Sequence, residues 1–294
     1  MSDLPGYLAY RAASALVGVL PGGLAPRLGA AMGRLAFLWA DERRRLAERH
    51  MSRVLGAREG ARSAARRLFA NYGRYWAEVF WVRPRRVEEI RRHLTVEGIE
   101  HVRAARDGGK GMILALPHVG NWEVAATVAA EEGLELSAVA EALGNRRITE
   151  WFVGLREGLG MHVVLTRGRG ETARTLVGLL RTGGAVALLA DRDIAGGGVP
   201  VRFFGEETTL PAGPATLAER TGAAVLPVAV YFRPGRGHHL VVRPPLTMPD
   251  SGLKEERAQA GMQAVAGALE SLIRAAPTQW HLVQPNWPSD REPR

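Results

Sequence analysis

Three short apolar runs each lead into an ionisable side chain. Leu114-Ala115-Leu116-Pro117 leads into His118, Ser137-Ala138-Val139-Ala140 into Glu141, and Ala187-Leu188-Leu189-Ala190 into Asp191. In an open α/β sheet ligands bind at the carboxyl ends of strands, so these side chains can share one cleft although they are distant in sequence. One charge at a strand end is ordinarily a turn or cap residue, whereas three together point to a site. His118 precedes Gly120, and Asn121 stands where a helix N-cap is expected. The imidazole is therefore expected at a helix mouth, where free backbone N–H groups would favour an acyl-transfer oxyanion or a substrate phosphate. His118 and Glu123 lie five residues apart, roughly 140° around a continuous helix, so they can meet only across a bend, which Gly120 supplies.

A neutral imidazole can take a proton from a hydroxyl near pH 7, and a carboxylate on its other nitrogen fixes the tautomer. That is half of a hydrolase triad. The other half is missing: the chain has no cysteine, and no serine sits in a Gly-x-Ser-x-Gly context. The attacking hydroxyl is then expected to belong to an acceptor substrate, with direct transfer and no acyl-enzyme. The remaining histidines, at 50, 93, 101, 162, 238, 239 and 281, read as surface or core residues. None has zinc spacing, and Gly196-Gly197-Gly198 is neither a Walker nor a dinucleotide fingerprint, so neither a metal nor a bound cofactor is expected.

After residue 93 the pattern alternates between strand-like and helical runs, as an α/β sheet requires. Strands are expected at 111–116, 135–140, 161–165, 185–190, 223–232 and 240–243. Helices are expected at 121–132, 148–159, 171–182, 213–221 and 254–275. Upstream, apolar stretches at 7–20 and 24–40 flank Pro21-Gly22-Gly23. Both are shorter than the roughly 20 residues of a membrane span and carry Arg11, Arg27 and Arg34. They fit either an interfacial helical hairpin or a pair of helices packed on the core. No basic n-region with a cleavage site is visible, so no removed signal peptide is expected. Residues 41–82 read as helical, including the arginine run at 43, 44, 45, 49 and 53, which is either a solvated face or a contact for an anionic membrane. Residues 84–92 read as a linker. The expected organisation is a helical membrane-interface region at 1–92 and an α/β catalytic domain at 93–294, a mixed sheet flanked by helices.

The chain has 294 residues, a 46% apolar fraction and a net charge of +9, which allow a large core without disulfides and favour an anionic partner. All but Lys110 and Lys254 of the Lys and Arg residues are arginine, whose fork suits phosphate. No nucleic-acid module or aromatic-interleaved basic patch is present, so nucleic acid is not an expected partner.

Five segments carry a family resemblance: Leu116-Pro117-His118-Val119-Gly120-Asn121-Trp122-Glu123, Ala190-Asp191-Arg192-Asp193, Val201-Arg202-Phe203-Phe204-Gly205-Glu206, Leu210-Pro211-Ala212-Gly213-Pro214-Ala215 and Trp280-His281-Leu282-Val283-Gln284-Pro285-Asn286-Trp287. In order and spacing they resemble the lipid A biosynthesis acyltransferases, within the glycerolipid acyltransferases, and in particular the phosphatidylinositol mannoside acyltransferases. The resemblance implies transfer of a long acyl chain from acyl-CoA to a mannose hydroxyl of an anionic glycolipid. It places the enzyme as a peripheral or monotopic protein at the cytoplasmic face of the plasma membrane. It makes His118 the base, with Glu123 completing the motif, and Asn121, Glu141, Arg156 and Arg192 substrate contacts. Asp191 stands where relatives often have glutamate, which leaves open whether Asp191 or Glu123 orients His118. A lipid A precursor or lysophospholipid acceptor, a thioesterase and a non-catalytic binder are the alternatives, and the oligomeric state stays open.

Overall fold

The computed structural model describes residues 3–166, 168–194 and 196–291. Four helices come first: α1 Asp3–Gly18, α2 Leu24–Trp39, α3 Asp41–Leu55 and α4 Ala61–Trp81. The expected linker folds as a 3-10 turn, Pro84–Arg86, and the short helix α5 Val87–Arg91. It is not a free tether, because Arg86 donates to the carbonyls of Gly18 and Leu20 at 2.7 and 3.1 Å.

From there strands and helices alternate: β1 Leu94–Glu97, α6 Ile99–Asp107, β2 Met112–Leu116, α7 Ala125–Glu131, β3 Leu136–Ala140, α8 Arg146–Glu157, β4 His162–Leu165, α9 Arg169–Arg181 and β5 Ala185–Leu189. The hairpin β6 Val199–Phe203 and β7 Glu206–Leu210 follows, then α10 Gly213–Thr221, β8 Ala224–Phe232, β9 His238–Val242 and α11 Lys254–Ala275. Seven strands form one mixed sheet in the order β1-β9-β8-β2-β5-β3-β4, with β6 and β7 pairing apart from it. Within the sheet β8 and β9 are antiparallel, and β2 runs parallel to both of its neighbours, β5 and β8. All five residues of β2 are buried, as expected of a central strand covered on both faces.

The α/β class and the flanking helices are as the sequence predicts. β1, α6 and the β6–β7 hairpin were not anticipated. One core cluster joins Phe37, Met51 and Leu68 of the first helices to Ile113, Val186 and Val225 of the sheet, so the helical segment packs directly on the sheet.

Glycines set the closest helix contact. A Cβ on Gly33 would lie 2.0 Å from the Phe69 carbonyl oxygen, and one on Gly73 would lie 2.1 Å from that of Gly29. Thus α2 turns Ala25, Gly29, Gly33 and Phe37 onto α4 and leaves Leu24, Leu28, Met32, Leu35, Leu38 and Trp39 exposed. Both sequence readings of this segment therefore have a physical counterpart: one face packs on the core, and the other is apolar and uncovered. Among the described residues no helix is long and apolar enough to cross a membrane.

Candidate active site

His118 and Asp191 follow adjacent parallel strands, β2 and β5, in the register Leu116↔Leu189. That register brings them together. Asp191 is fully buried; one carboxylate oxygen lies 2.6 Å from His118 Nδ1, and the other accepts the His118 backbone N–H at 3.0 Å. The second oxygen also accepts the indole N–H of Trp280 at 2.7 Å, and Asn286 donates to the Asp191 carbonyl at 3.1 Å. Burial alone would raise the Asp191 carboxyl, but the His118 imidazole and the donated hydrogen bonds carry it down to about 2. A carboxylate can only accept, so Nδ1 bears the proton and Nε2 keeps its lone pair. The His118 side chain is 12% exposed, which leaves the ring reachable from the cleft.

Glu123 does not hold His118. It is buried in the 3-10 turn Trp122–Val124 and takes the Arg156 guanidinium on both oxygens, with Nε at 3.0 and 3.2 Å and Nη2 at 2.7 Å. The Glu123 charge raises the Arg156 pKa further. The bend predicted at Gly120 exists: φ is 59°, and a Cβ there would stand 1.9 Å from the Val230 carbonyl oxygen. The bend puts His118 on the loop and Glu123 in the turn, but the carboxylate points to α8 and not back to the histidine.

Asn121, expected at the substrate, is fully buried and structural. Its Oδ1 accepts the Glu123 N–H at 3.2 Å, as an N-cap does, and its Nδ2 donates to Glu78 at 2.9 Å. Glu78 also takes His238 Nε2 and Arg74 Nε, both at 2.7 Å. Burial opposes the charge on Glu78, yet His238, Arg74 and Asn121 bring its carboxyl to about 2. Glu141 stands exposed just past β3, one strand beyond β5, so the third strand-end charge stays out of the His118–Asp191 pair. Arg192, next to Asp191, hydrogen-bonds Gln284 through Nη1, and its buried Nε has no partner among the described residues.

Most of the free backbone donors expected at the helix mouth are occupied; the Trp122 N–H has no partner among the described residues. The N–H groups of His118, Val119, Gly120, Asn121, Glu123 and Val124 bond to Asp191, Pro117, Gln279, Val230 and, for the last two, Asn121. The loop is stitched to β8 and to the segment around Trp280 by these bonds.

Several residues at the site carried no signal of their own in the sequence. Trp122 sets its ring edge-on to His118 at 5.2 Å and tilts against Tyr75 at 4.4 Å. Aromatic contacts continue from Tyr75 through Trp76 to Phe80 and Phe152, which both reach Tyr10. His281 lies beneath the loop: its Nε2 donates to the Gly120 carbonyl at 2.8 Å, its backbone N–H donates to the His118 carbonyl at 2.8 Å, and burial drives its pKa down to about 3. Trp280, His281 and Asn286 do fall in one of the segments that carry the resemblance, but their roles appear only when that segment is folded against Asp191 and Gly120.

The site thus pairs a histidine with a buried aspartate, in a chain without cysteine. A family profile described as bacterial lipid A biosynthesis acyltransferase matches residues 2–289. The chain belongs to this family. It is 38% identical over 223 residues to a phosphatidylinositol mannoside acyltransferase of Mycobacterium tuberculosis, covering 75% of this chain and 69% of that protein. It is 36% identical over 245 residues to one of Mycolicibacterium smegmatis, covering 82% and 79%. The chain is accordingly a lipid acyltransferase, and the family resemblance read from the five segments holds.

Proposed function

We propose that this acyltransferase moves a long fatty acyl chain from acyl-CoA to a mannose hydroxyl of a phosphatidylinositol mannoside, with His118 as general base. The observation that carries the reading is the hydrogen bond from His118 Nδ1 to buried Asp191, which leaves Nε2 as a free base. Among the described residues no serine or threonine hydroxyl is hydrogen-bonded to His118, and the chain has no cysteine. A base without its own nucleophile serves a hydroxyl brought by the acceptor.

In this reading Nε2 takes the acceptor proton as the alkoxide oxygen attacks the thioester carbonyl. The tetrahedral intermediate collapses with loss of the thiolate, which recovers the proton. Asp191 holds the tautomer and stabilises the imidazolium, and Arg192 contacts the carbonyl or a phosphate. The aromatic series from Trp122 to Tyr10, half-buried apart from the buried Tyr75, suits an alkyl chain, and the net charge of +9 suits an anionic headgroup. The chemistry needs neither metal nor organic cofactor. The exposed apolar face of α2 supports peripheral docking on the membrane that holds the acceptor, at the cytoplasmic face of the plasma membrane. The names of the mycobacterial relatives favour the mannoside acceptor over a lipid A precursor or a lysophospholipid.

The test offers labelled palmitoyl-CoA with each of these acceptors and reads products by mass spectrometry. The mannoside should be acylated, and His118→Ala should lower that transfer by about 10²–10⁴-fold while staying folded. Acylation of another acceptor alone would reject the substrate assignment, and full activity of the histidine variant would reject the base.

A further inference from the structure

The arginine run at 43–53 divides when the chain folds. Arg44 pairs with Asp41 at 2.6 Å, and Arg53 is held by Glu206 and Asp290 at 2.7 and 2.9 Å, so both are spent within the protein. Arg45 and Arg49 instead join Arg58 and Arg62 in lining a pocket of about 260 Å³ between α3 and the start of α4. Glu48 is the one carboxylate in its wall, so four guanidiniums leave an excess of three positive charges. Arg62 meets Glu48 at 3.4 Å, and Arg49 donates to the Ser289 carbonyl at 3.1 Å. Arg45 and Arg58 are exposed and have no hydrogen-bond or ion-pair partner among the described residues. Helix α4 begins in the same wall, at Ala61, with no acidic residue in its first turn and no side-chain cap, so its positive end adds to the field. Like charges gathered in a concave site repel one another, and an anion relieves that repulsion. The guanidinium fork matches the oxygens of a phosphate.

The position of the pocket says where that phosphate comes from. The Arg62 guanidinium stands 5.9 Å from the centre of the Phe37 ring, in the last turn of α2. The next two residues, Leu38 and Trp39, are exposed. The pocket therefore adjoins the uncovered apolar end of α2. It stands apart from the His118 cleft: Ala61 is about 21 Å along α4 from Tyr75, whose ring meets Trp122 beside His118. An exposed tryptophan next to free arginines is the arrangement of a membrane interface, with the indole at headgroup level and the guanidiniums on phosphates.

We propose that the pocket between α3 and α4 binds the phosphate diester of an anionic phospholipid headgroup, while the apolar end of α2 enters the acyl boundary beside it. The proposal rests on the reading of this enzyme as a peripheral membrane protein, and it adds the chemical group on which the enzyme docks. Arg45 and Arg58 close on the phosphate, and Arg49, steadied by the Ser289 carbonyl, supplies a third donor from the floor of α3.

The test removes the two arginines that hold no part of the protein, as Arg45→Gln with Arg58→Gln. Arg181→Gln with Arg220→Gln, exposed on α9 and α10, removes the same charge outside the pocket and is the control. Each protein is sedimented with phosphatidylcholine vesicles with and without phosphatidylglycerol. Wild type should prefer the vesicles containing phosphatidylglycerol. The pocket variant should bind them on the order of 30-fold more weakly, as two arginines at an anionic surface imply, and the control should stay within about threefold of wild type. Calorimetry with monomeric dihexanoyl-phosphatidylglycerol, which offers the headgroup without a surface, should show at least about tenfold weaker binding by the pocket variant alone. Equal losses in both double variants would reduce the pocket to diffuse charge, and short-chain lipid binding that the pocket substitutions leave unchanged would place the headgroup elsewhere. Weakened coenzyme A binding with intact vesicle binding would assign the pocket to the acyl donor. Each of these overturns the proposal. Leu35→Ser with Trp39→Ser, run beside them, separates it from the docking reading. A wild type that binds neither vesicle removes both ideas, whereas vesicle binding that needs α2 but not Arg45 and Arg58 leaves docking standing and removes only the headgroup site.

Discussion

At the scale of single residues, the two carboxylates near His118 have separate partners and should fail in different ways. Asp191→Asn keeps the shape but offers an amide that can present its NH2 to the imidazole and reverse the tautomer. We expect kcat to fall about 10²–10⁴-fold with the protein folded. Glu123→Ala leaves the largely buried Arg156 guanidinium without its counter-charge, and we expect a stability loss of about 3–5 kcal/mol in urea denaturation. An Asp191 variant of normal kcat, or a Glu123 variant of normal stability and abolished kcat, would reverse the two assignments. His118 and Asp191 were legible in the sequence because each ends an apolar run, and parallel pairing of those runs is enough to bring them together. Glu141 ends a similar run but stands apart from the His118–Asp191 pair, since strand order is decided by long-range pairing that one sequence does not display. Trp280 was illegible as a site residue, because an aromatic in the segment after α11 reads as core until the packing shows its indole N–H meeting Asp191.

At the scale of elements, the long helices and buried strands follow their periodicity closely, and α10 and α11 match their expected limits. The misses have physical causes. β1 is a four-residue edge strand, mostly exposed, with too little apolar pattern to register. The β6–β7 hairpin contains Pro200 and turns through Phe204, at φ 51°, and Gly205, a turn that a bulky residue rarely begins. Helix α2 carries the element-scale prediction. At 100° per residue, Leu28, Met32, Leu35 and Trp39 fall on one face, about 110° round the helix from the glycines that pack on α4. Trp39 is 80% exposed and Leu35 is 52% exposed, so polar replacements there remove little from the folded core. Leu35→Ser with Trp39→Ser should leave thermal stability nearly unchanged. It should weaken binding to anionic vesicles on the order of 100-fold, the effect of losing about 3 kcal/mol of apolar burial. Vesicle sedimentation checks this, and undiminished binding would show that α2 is not the docking element.

At the scale of the whole molecule, the groups that tie the helical segment, the sheet and the strap formed by residues 277–291 together are buried and ionisable, so stability is coupled to pH in two windows. His281 bridges the His118 loop and the strap, and burial holds its pKa at about 3. An unfolded histidine titrates near 6.5, so the unfolded chain binds more protons than the folded one between about pH 6.5 and 3. Stability therefore falls as pH falls through that window, by about 2 kcal/mol between pH 7 and 5 from this residue. Asp191 and Glu78 act lower down. Their folded values of about 2 lie below the ordinary carboxylate range, so their contribution is complete above about pH 4 and is lost as pH falls towards 2. The two windows separate experimentally. Urea denaturation at pH 7, 6 and 5 should show wild type weakening before any of these carboxylates titrates. His281→Gln, whose amide can still donate to the Gly120 carbonyl but gains no proton, should be less stable at pH 7 yet show a much flatter slope. Equal slopes for the two proteins would mean that another group carries the pH dependence and that the bridge beneath the His118 loop is not its source.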